Sequence, residues 1–459
     1  MTGHEYQISK EATNYLDNYK IRGILEIAHI FIILVVPFLL FILFVPASYA
    51  AIYYVDQHHP SASDANHGTE DLPWKTIGHA GDVAQAGDTI YVKKATYNER
   101  VDLANSGNRG TKITLKSSPR RAATVVGGFD VDGDYIRVEG FTIIAGESAI
   151  GVKIRGDYVD IVDNYFYNNK YKAIRGDLAN NPKSAYIAGN HIYHSQSGIV
   201  VEGEAWLVEN NEIERLYDYG GGDCDYARFF GDNHVFRHNY FHGTTASEIG
   251  GAHVDCFQTW GGGGKHAHNI LFENNRCYHF HQVLMTENYY DDISHLIFKN
   301  NVFAHGTLGG KGYGLFVKGV PHIVATNNTF VNIRYTGVLI RNDNSRPKYA
   351  IIKNNIFYSC NNAYSLDDTS STADYNLFFN TGYPSSHGAH DLENINPLFV
   401  RPENNDYSLQ TGSPACEAGE GGTYIGAIPC VASTSDTEAP SIPIGLEIRS
   451  FSSSQTNLF

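Results

Sequence analysis

The chain is 459 residues long, which at roughly 150 residues per domain allows three domains unless a repeat spreads one of them over most of the length. Its 45 Gly, 31 Tyr and 24 Phe, against 2 Met and 18% charged residues, lean toward β-structure. A net charge of −15 excludes a protein that tracks phosphates with a basic stripe, so no nucleic acid is expected. It also makes any polyanionic ligand depend on a metal or a local basic patch.

From the N-terminus, Ile30 to Ala47 is an uncharged apolar run behind Lys20 and Arg22, the pattern of an export element. Ser48-Tyr49-Ala50 sets small residues where a signal peptidase reads them, which favours cleavage after Ala50. The run is borderline in length for a membrane span, so an uncleaved anchor stays open, and it is the only membrane contact expected. Residues 1–50 are set aside as this segment, and the rest is expected to be secreted or held at the cell surface. Six Cys in an exported chain allow disulfides. Cys416 and Cys430 would close a C-terminal loop, and Cys224 and Cys256 would meet if their segments stack.

Trp74 to Ala84 places apolar residues at 74, 77, 80 and 84, as a short helix capping one end of a larger body would. Beyond it the chain repeats. An Asn is followed two residues later by an apolar residue at Asn164/Phe166, Asn190/Ile192, Asn211/Ile213, Asn239/Phe241, Asn275/Cys277, Asn301/Phe303, Asn328/Phe330, Asn355/Phe357 and Asn376/Phe378. Intervals of 21 to 36 residues with Gly turns and alternating apolar positions mean short strands wound into coils. A second strand precedes each Asn, as in Gly198 to Gly203 and Leu315 to Gly319. Two or three strands per coil make an all-β fold, a parallel β-helix in which the Phe/Ile position stacks inside and the Asn bonds its neighbours at a turn. Cys277 stands at an internal position, where a buried, inert thiol is expected.

Ala51-Ile-Tyr-Tyr-Val-Asp56, Pro73-Trp-Lys-Thr-Ile77, Gly87-Asp-Thr-Ile-Tyr-Val92 and Thr96-Tyr-Asn-Glu-Arg-Val101 resemble the opening of secreted right-handed parallel β-helix proteins of the pectate-lyase-like superfamily. Asn396-Pro-Leu-Phe399, Asp406-Tyr-Ser-Leu409, Gly412-Ser-Pro-Ala415 and Ile425-Gly-Ala427 are similar to its closing coil. The resemblance covers about 51–430 and implies a single capped right-handed β-helix and export, with little said about reaction. After a Ser/Thr/Asp linker, Ala439 to Leu446 and Ser452 to Leu458 resemble the first strands of a fibronectin type III domain. The 431–459 tail is far short of the roughly 100 residues such a sandwich needs, so a truncated start or a disordered tail is expected.

The longest intervals flank Asn239 and hold Gly220 to Asp225 and Glu248 to Trp260. Insertions in a solenoid fall on one face, often the binding face. Aligning the Gly-terminated strands gives an outward stripe reading Glu202, Phe230, Trp260, Glu287, Lys318, Arg341, with Val200, Arg228, Gln258, Met285, Phe316 and Leu339 beside it. Asp223, Asp225, His253 and Asp255 lie at its margin. Flat apolar faces with polar rims suit a sugar chain, so Arg228, Gln258, Trp260, Glu202 and Phe230 are read as substrate-binding.

Three chemistries fit such a stripe. In β-elimination from a uronate, Lys318 or His253 would be the base and Arg341 the charge stabiliser. A Ca²⁺ held by Asp223, Asp225, Asp255 or Glu287 would bind the uronate carboxylate. A C5-epimerase would use nearly the same groups. Hydrolysis would pair Asp225 with Asp255 or with Glu287. A non-catalytic carbohydrate-binding or adhesive surface is the third class. Each residue also has a plainer role, as turn former, loop brace or solvated strand end. His266, His268, His279 and His281 lack the companion motif of a zinc site. The expectation is therefore an extracellular, monomeric, polysaccharide-active β-helix, most simply a uronate lyase or epimerase, with no organic cofactor.

Overall fold

The computed structural model describes residues 50–430, apart from 148, 289–290, 307, 310–311, 344–347 and 385–386. The export run and the fibronectin-like tail lie outside the described residues. Among the described residues, no helix is long and apolar enough to cross a membrane.

The body is a parallel β-solenoid with three strands per coil. One sheet of 13 strands and another of 24 carry nearly all of it. The larger comprises two ladders, joined where Ala227–Asp232 pairs with both Asp255–Trp260 and Ala267–Glu273. We call sheet 1 the ladder that includes Lys172–Gly176, Ser197–Glu204, Ala227–Asp232, Asp255–Trp260, Gln282–Glu287, Tyr313–Lys318 and Thr336–Arg341. Sheet 2 includes Leu207–Glu209 and Val235–Arg237. Sheet 3 includes His191–Tyr193, Glu212–Glu214 and Tyr240–His242. Each coil visits them in the order 1, 2, 3.

The Asn repeat is the turn between sheets 2 and 3. Asn239 Oδ1 accepts from the Asn211 backbone N–H and from Asn211 Nδ2, while its own Nδ2 donates to Val208 O and to Asn275 Oδ1. The same pattern runs from Asn164 to Asn376 with all nine side chains buried. The Asn turns thus have their buried side-chain amides satisfied by protein groups. The residue before the ladder Asn has a positive φ, as at Asn210, Asn274, Asn300, Asn327 and Asn354. Asn tolerates that region better than most residues, which accounts for the Asn-Asn pairs in the sequence. Two residues on, Phe166, Ile192, Ile213, Phe241, Phe303, Phe330, Phe357 and Phe378 form the internal stack. The Gly-terminated strands have a steric cause, since a Cβ on Gly231 would lie 1.8 Å from Gly203 O on the next coil.

At the N-terminal end, α1 spans Ile77–Val83, with Thr76 Oγ1 accepting from the His79 N–H and the Glu99 carboxylate accepting from Ile77 and Gly78. Trp74, Ile77, Ala80 and Ala84 face the core, as the spacing predicts. The cysteines correct two expectations. Cys416–Cys430 closes its loop, but Cys256 pairs with Cys277 rather than Cys224, so Cys277 is a disulfide partner and not an inert thiol. Cys256 belongs to a strand of sheet 1 and Cys277 to one of sheet 3, and the bond crosses the interior between them. Cys224 and Cys360 are free and buried.

Candidate functional site

Both long insertions, 215–226 and 243–254, leave sheet 3 and enter sheet 1 at the same corner of successive coils. A short helix, α2 at Ala246–Ile249, braces the second. Its Glu248 carboxylate meets Arg215 Nε at 2.6 Å and His194 Nε2 at 3.0 Å, fastening one loop to the root of the other.

The insertions deliver a cluster of charges to the start of sheet 1. Asp225 and Asp255 occupy the same position on adjacent coils, and Asp225 Oδ1 accepts the Asp255 backbone N–H at 3.0 Å. Both side chains are fully buried. Arg228 Nε meets Asp225 Oδ2 at 2.6 Å, and its Nη2 pairs with Asp223. The buried Asp255 oxygens make no close hydrogen bond, and their charged neighbour is His253, whose Nδ1 stands 3.3 Å from Oδ2. Gln282, the register partner of Asp255, presents an equally unpaired buried Oε1. Burial pushes the pKa of Asp225 and of Asp255 well above the ordinary aspartate value, and Asp223 adds to the effect on both. The Asp255 carboxylate beside it raises the His253 pKa.

Two clefts adjoin the cluster along sheet 1. One, of about 490 Å³, is lined by His253, Gln258, His281, Gln282, Phe316 and Lys318 among others. The other, of about 560 Å³, includes Tyr171, Lys172, Gln196, Tyr219, Asp223 and Arg228. In the second, Lys172 Nζ lies 2.6 Å from the Tyr171 hydroxyl. Burial lowers the Lys172 pKa, and Arg175 and Arg228 lower it further. The lysine bond likewise lowers the Tyr171 pKa. Among the described residues no carboxylate pairs with Lys172.

Sequence reasoning missed Lys172, Tyr171 and Arg175. Only part of the signal was present: the row of Val200 and Arg228 continues upstream to Arg175, whereas Lys172 lies opposite Ser197, off both rows, and Tyr171 precedes the strand.

The predicted stripe itself divides. Its rows are as aligned, with Glu202 beside Phe230, Trp260 beside Glu287 and Lys318 beside Arg341. However, Glu287 lies at the last position of its strand and Asp255 at the first of the neighbouring one. Five residues of strand span about 17 Å, so Glu287 neither shares a metal with Asp223, Asp225 and Asp255 nor flanks a bond with Asp225; it pairs with Lys318 Nζ at 3.0 Å. Glu202 and Phe230, at 3% and 2% exposure, are buried and offer no sugar contact. Glu202 holds Arg175 at 2.9 Å, and the Phe230 ring packs on Trp260 at 4.7 Å. Trp260 carries the Lys265 ammonium 4.0 Å from a ring centroid. Arg341 is half exposed against Asp343, 3.3 Å away.

Three carboxylates against one arginine leave the cluster short of positive charge; Asp223, Asp225 and His253 bring ligand atoms within 4.8 Å of one another, and the Asp255 oxygens beside them fit a hard cation such as Ca²⁺. The same shortage has a pH signature. Between the ordinary aspartate value of 3.8 and the raised folded values of Asp225 and Asp255, the folded protein binds more protons at these sites than the unfolded chain does. Their contribution to stability therefore falls as pH rises through that window. His253, also raised, has the same sign, its contribution being lost as pH passes its folded value. In chelator, melting curves of wild type and an Asp225→Asn/Asp255→Asn variant should diverge in favour of the variant from pH 4 towards neutrality; parallel curves would refute the raised values.

Residues 173–348 match the family described as right handed beta helix region. An uncharacterized protein, YwoF, of Bacillus subtilis is 29% identical over 138 residues, 26% of this chain and 30% of its own length. Pectate lyase PEL9 of Emericella nidulans is 26% identical over 180 residues, 39% of this chain and 41% of its own. The chain thus spans less than half the length of both curated relatives. Among solved structures, pectate lyase Pel9A superposes with a TM-score of 0.51 at 16% identity, covering 83% of this chain and 96% of that one. XylC, solved in complex with xylose, gives 0.52 at 15%, covering 76% and 87%. The fold is a right-handed parallel β-helix.

Proposed function

We propose that the chain is an extracellular protein that binds an acidic polysaccharide along sheet 1 and cleaves it by β-elimination. The observation that carries this is the Lys172 amine, which lines a cleft, is bonded to a phenol and feels the charges of Arg175 and Arg228 in a protein of net charge −15. Such a pocket suits an anionic sugar and supplies a base whose neutral form is favoured by burial. Lys172 would take the proton from the carbon next to the uronate carboxylate. The released pair would form the ring double bond, the bond to the leaving oxygen would break, and Tyr171 would return a proton to that oxygen. Arg228 faces the same cleft and would stabilise the charge developing on the carboxylate. A Ca²⁺ bound by Asp223, Asp225 and Asp255 would supply further charge neutralisation. Lys318, one of the two bases expected from the sequence, is instead ion-paired with Glu287.

The similarity to pectate lyases in fold and in part of the sequence supports a polysaccharide substrate. Hydrolysis is the second reading, favoured by the paired Asp225 and Asp255 with raised pKa values. Their complete burial counts against it, since a nucleophile and an acid must both reach the glycosidic bond.

The test is incubation with acidic and neutral polysaccharides, following ultraviolet absorbance of unsaturated uronate and reducing ends together. Absorbance that rises with the ends, and is lost in Lys172→Ala, is the expected result. Reducing ends without absorbance would replace elimination by hydrolysis.

A further inference from the structure

Away from the groove, the outer face of sheet 3 gathers two histidines and two glutamates from three successive coils. His191 and Glu212 are register partners, as are Glu214 and His242. Direct neighbours on a ladder are the ones that ordinarily pair. Here the contacts cross instead. His191 Nε2 lies 2.9 Å from Glu214 Oε1, and His242 Nε2 lies 2.9 Å from Glu212 Oε1 and 3.9 Å from Glu214 Oε2. The crossing draws both carboxylates of the middle coil between the two imidazoles. Ligand atoms of Glu212, Glu214 and His242 all fall within 4.8 Å of one another; His191 lies outside that set but reaches its edge, with Nε2 2.9 Å from Glu214 Oε1. Both rings present Nε2 and are held by neighbours, His242 stacked 3.9 Å from Tyr240 and His191 5.0 Å from Tyr165.

We propose that His191, Glu212, Glu214 and His242 form a binding site for a zinc-class divalent cation that staples three coils together. Two imidazole nitrogens and two carboxylates are the donors a tetrahedral Zn²⁺ takes, whereas Ca²⁺ and Mg²⁺ prefer oxygen throughout. The bound ion cancels the two carboxylate charges that a single strand carries two residues apart on one face. Its position gives it a further consequence. The insertion at 215–226 leaves directly after Glu214, and that at 243–254 directly after His242. The ion therefore pins the roots of both loops that deliver Asp223, Asp225 and His253 to the groove.

The test uses the full chain after chelation. Calorimetric titration with Zn²⁺ should show one saturable site per chain, with a rise in melting temperature that Ca²⁺ does not reproduce. Co²⁺ should give the visible absorption of tetrahedral coordination. His191→Gln/His242→Gln, checked to melt like chelated wild type, should lose the isotherm and the spectrum. Asp223→Asn/Asp255→Asn should keep both, which separates this site from any cation in the groove whether or not a polysaccharide is cleaved. No saturable binding to wild type, or binding that survives His191→Gln/His242→Gln, overturns the proposal. Survival there with loss in His266→Gln/His268→Gln would move the ion to the other cluster, Asp232, His266 and His268.

Discussion

Asp255→Asn should make the protein more stable and less active at once. The side chain is fully buried, neither oxygen has a hydrogen bond, and Asp225 sits at the same position one coil away. An ionised carboxylate so placed costs stability that an isosteric amide does not. A gain of about 1–2 kcal/mol is expected in chelator at neutral pH, read by urea unfolding. The gain should shrink on adding Ca²⁺, because wild type recovers stability by mass action while the variant has lost a ligand. Cleavage of an acidic polysaccharide should fall about 100-fold or more, as for loss of a group that stabilises developing charge. A variant that loses stability without chelatable cation would show that Asp255 is braced by contacts other than a cation, and would remove the groove site.

Asn239→Ala should have the largest effect on the fold. Removing this side chain strips acceptors from the Asn211 backbone N–H and Asn211 Nδ2, and a donor from Val208 O and Asn275 Oδ1, all in a buried turn. Each buried polar group left unpaired costs about 1–3 kcal/mol, and with partial relaxation a loss of about 4 kcal/mol is expected. The surface change Glu403→Ala, at an exposed position remote from the ladder, should stay within about 0.5 kcal/mol. Equal effects of the two would mean that the Asn ladder is ornamental and that apolar stacking alone holds the coils.

These two predictions draw on different parts of what the sequence discloses. The ladder is visible in the order of residues because one turn geometry recurs every coil and the short Asn amide both accepts from the coil before and donates to the coil after. The Phe and Ile stack follows from the same ruler, as does the cap at Ile77–Val83. The rows of sheet 1 were legible too, since Gly203 and Gly231 mark strand ends where coils approach too closely for a Cβ. Depth was not legible. Glu202 and Phe230 share an outward row with Trp260 and Lys318, yet the first two are covered by Arg175 and by packing against Trp260.

The linear order by itself determined the solenoid, its register and the corner at which both insertions enter, because each depends on contacts between equivalent positions of neighbouring coils. Only the tertiary structure decided that Cys256 reaches Cys277 across the interior, that Glu287 stands a strand's length from the aspartates, and that Lys172 shares a cleft with Arg228. These relations run along strands, across the interior or between coils of unequal length, where spacing in the chain carries no measure of distance or burial.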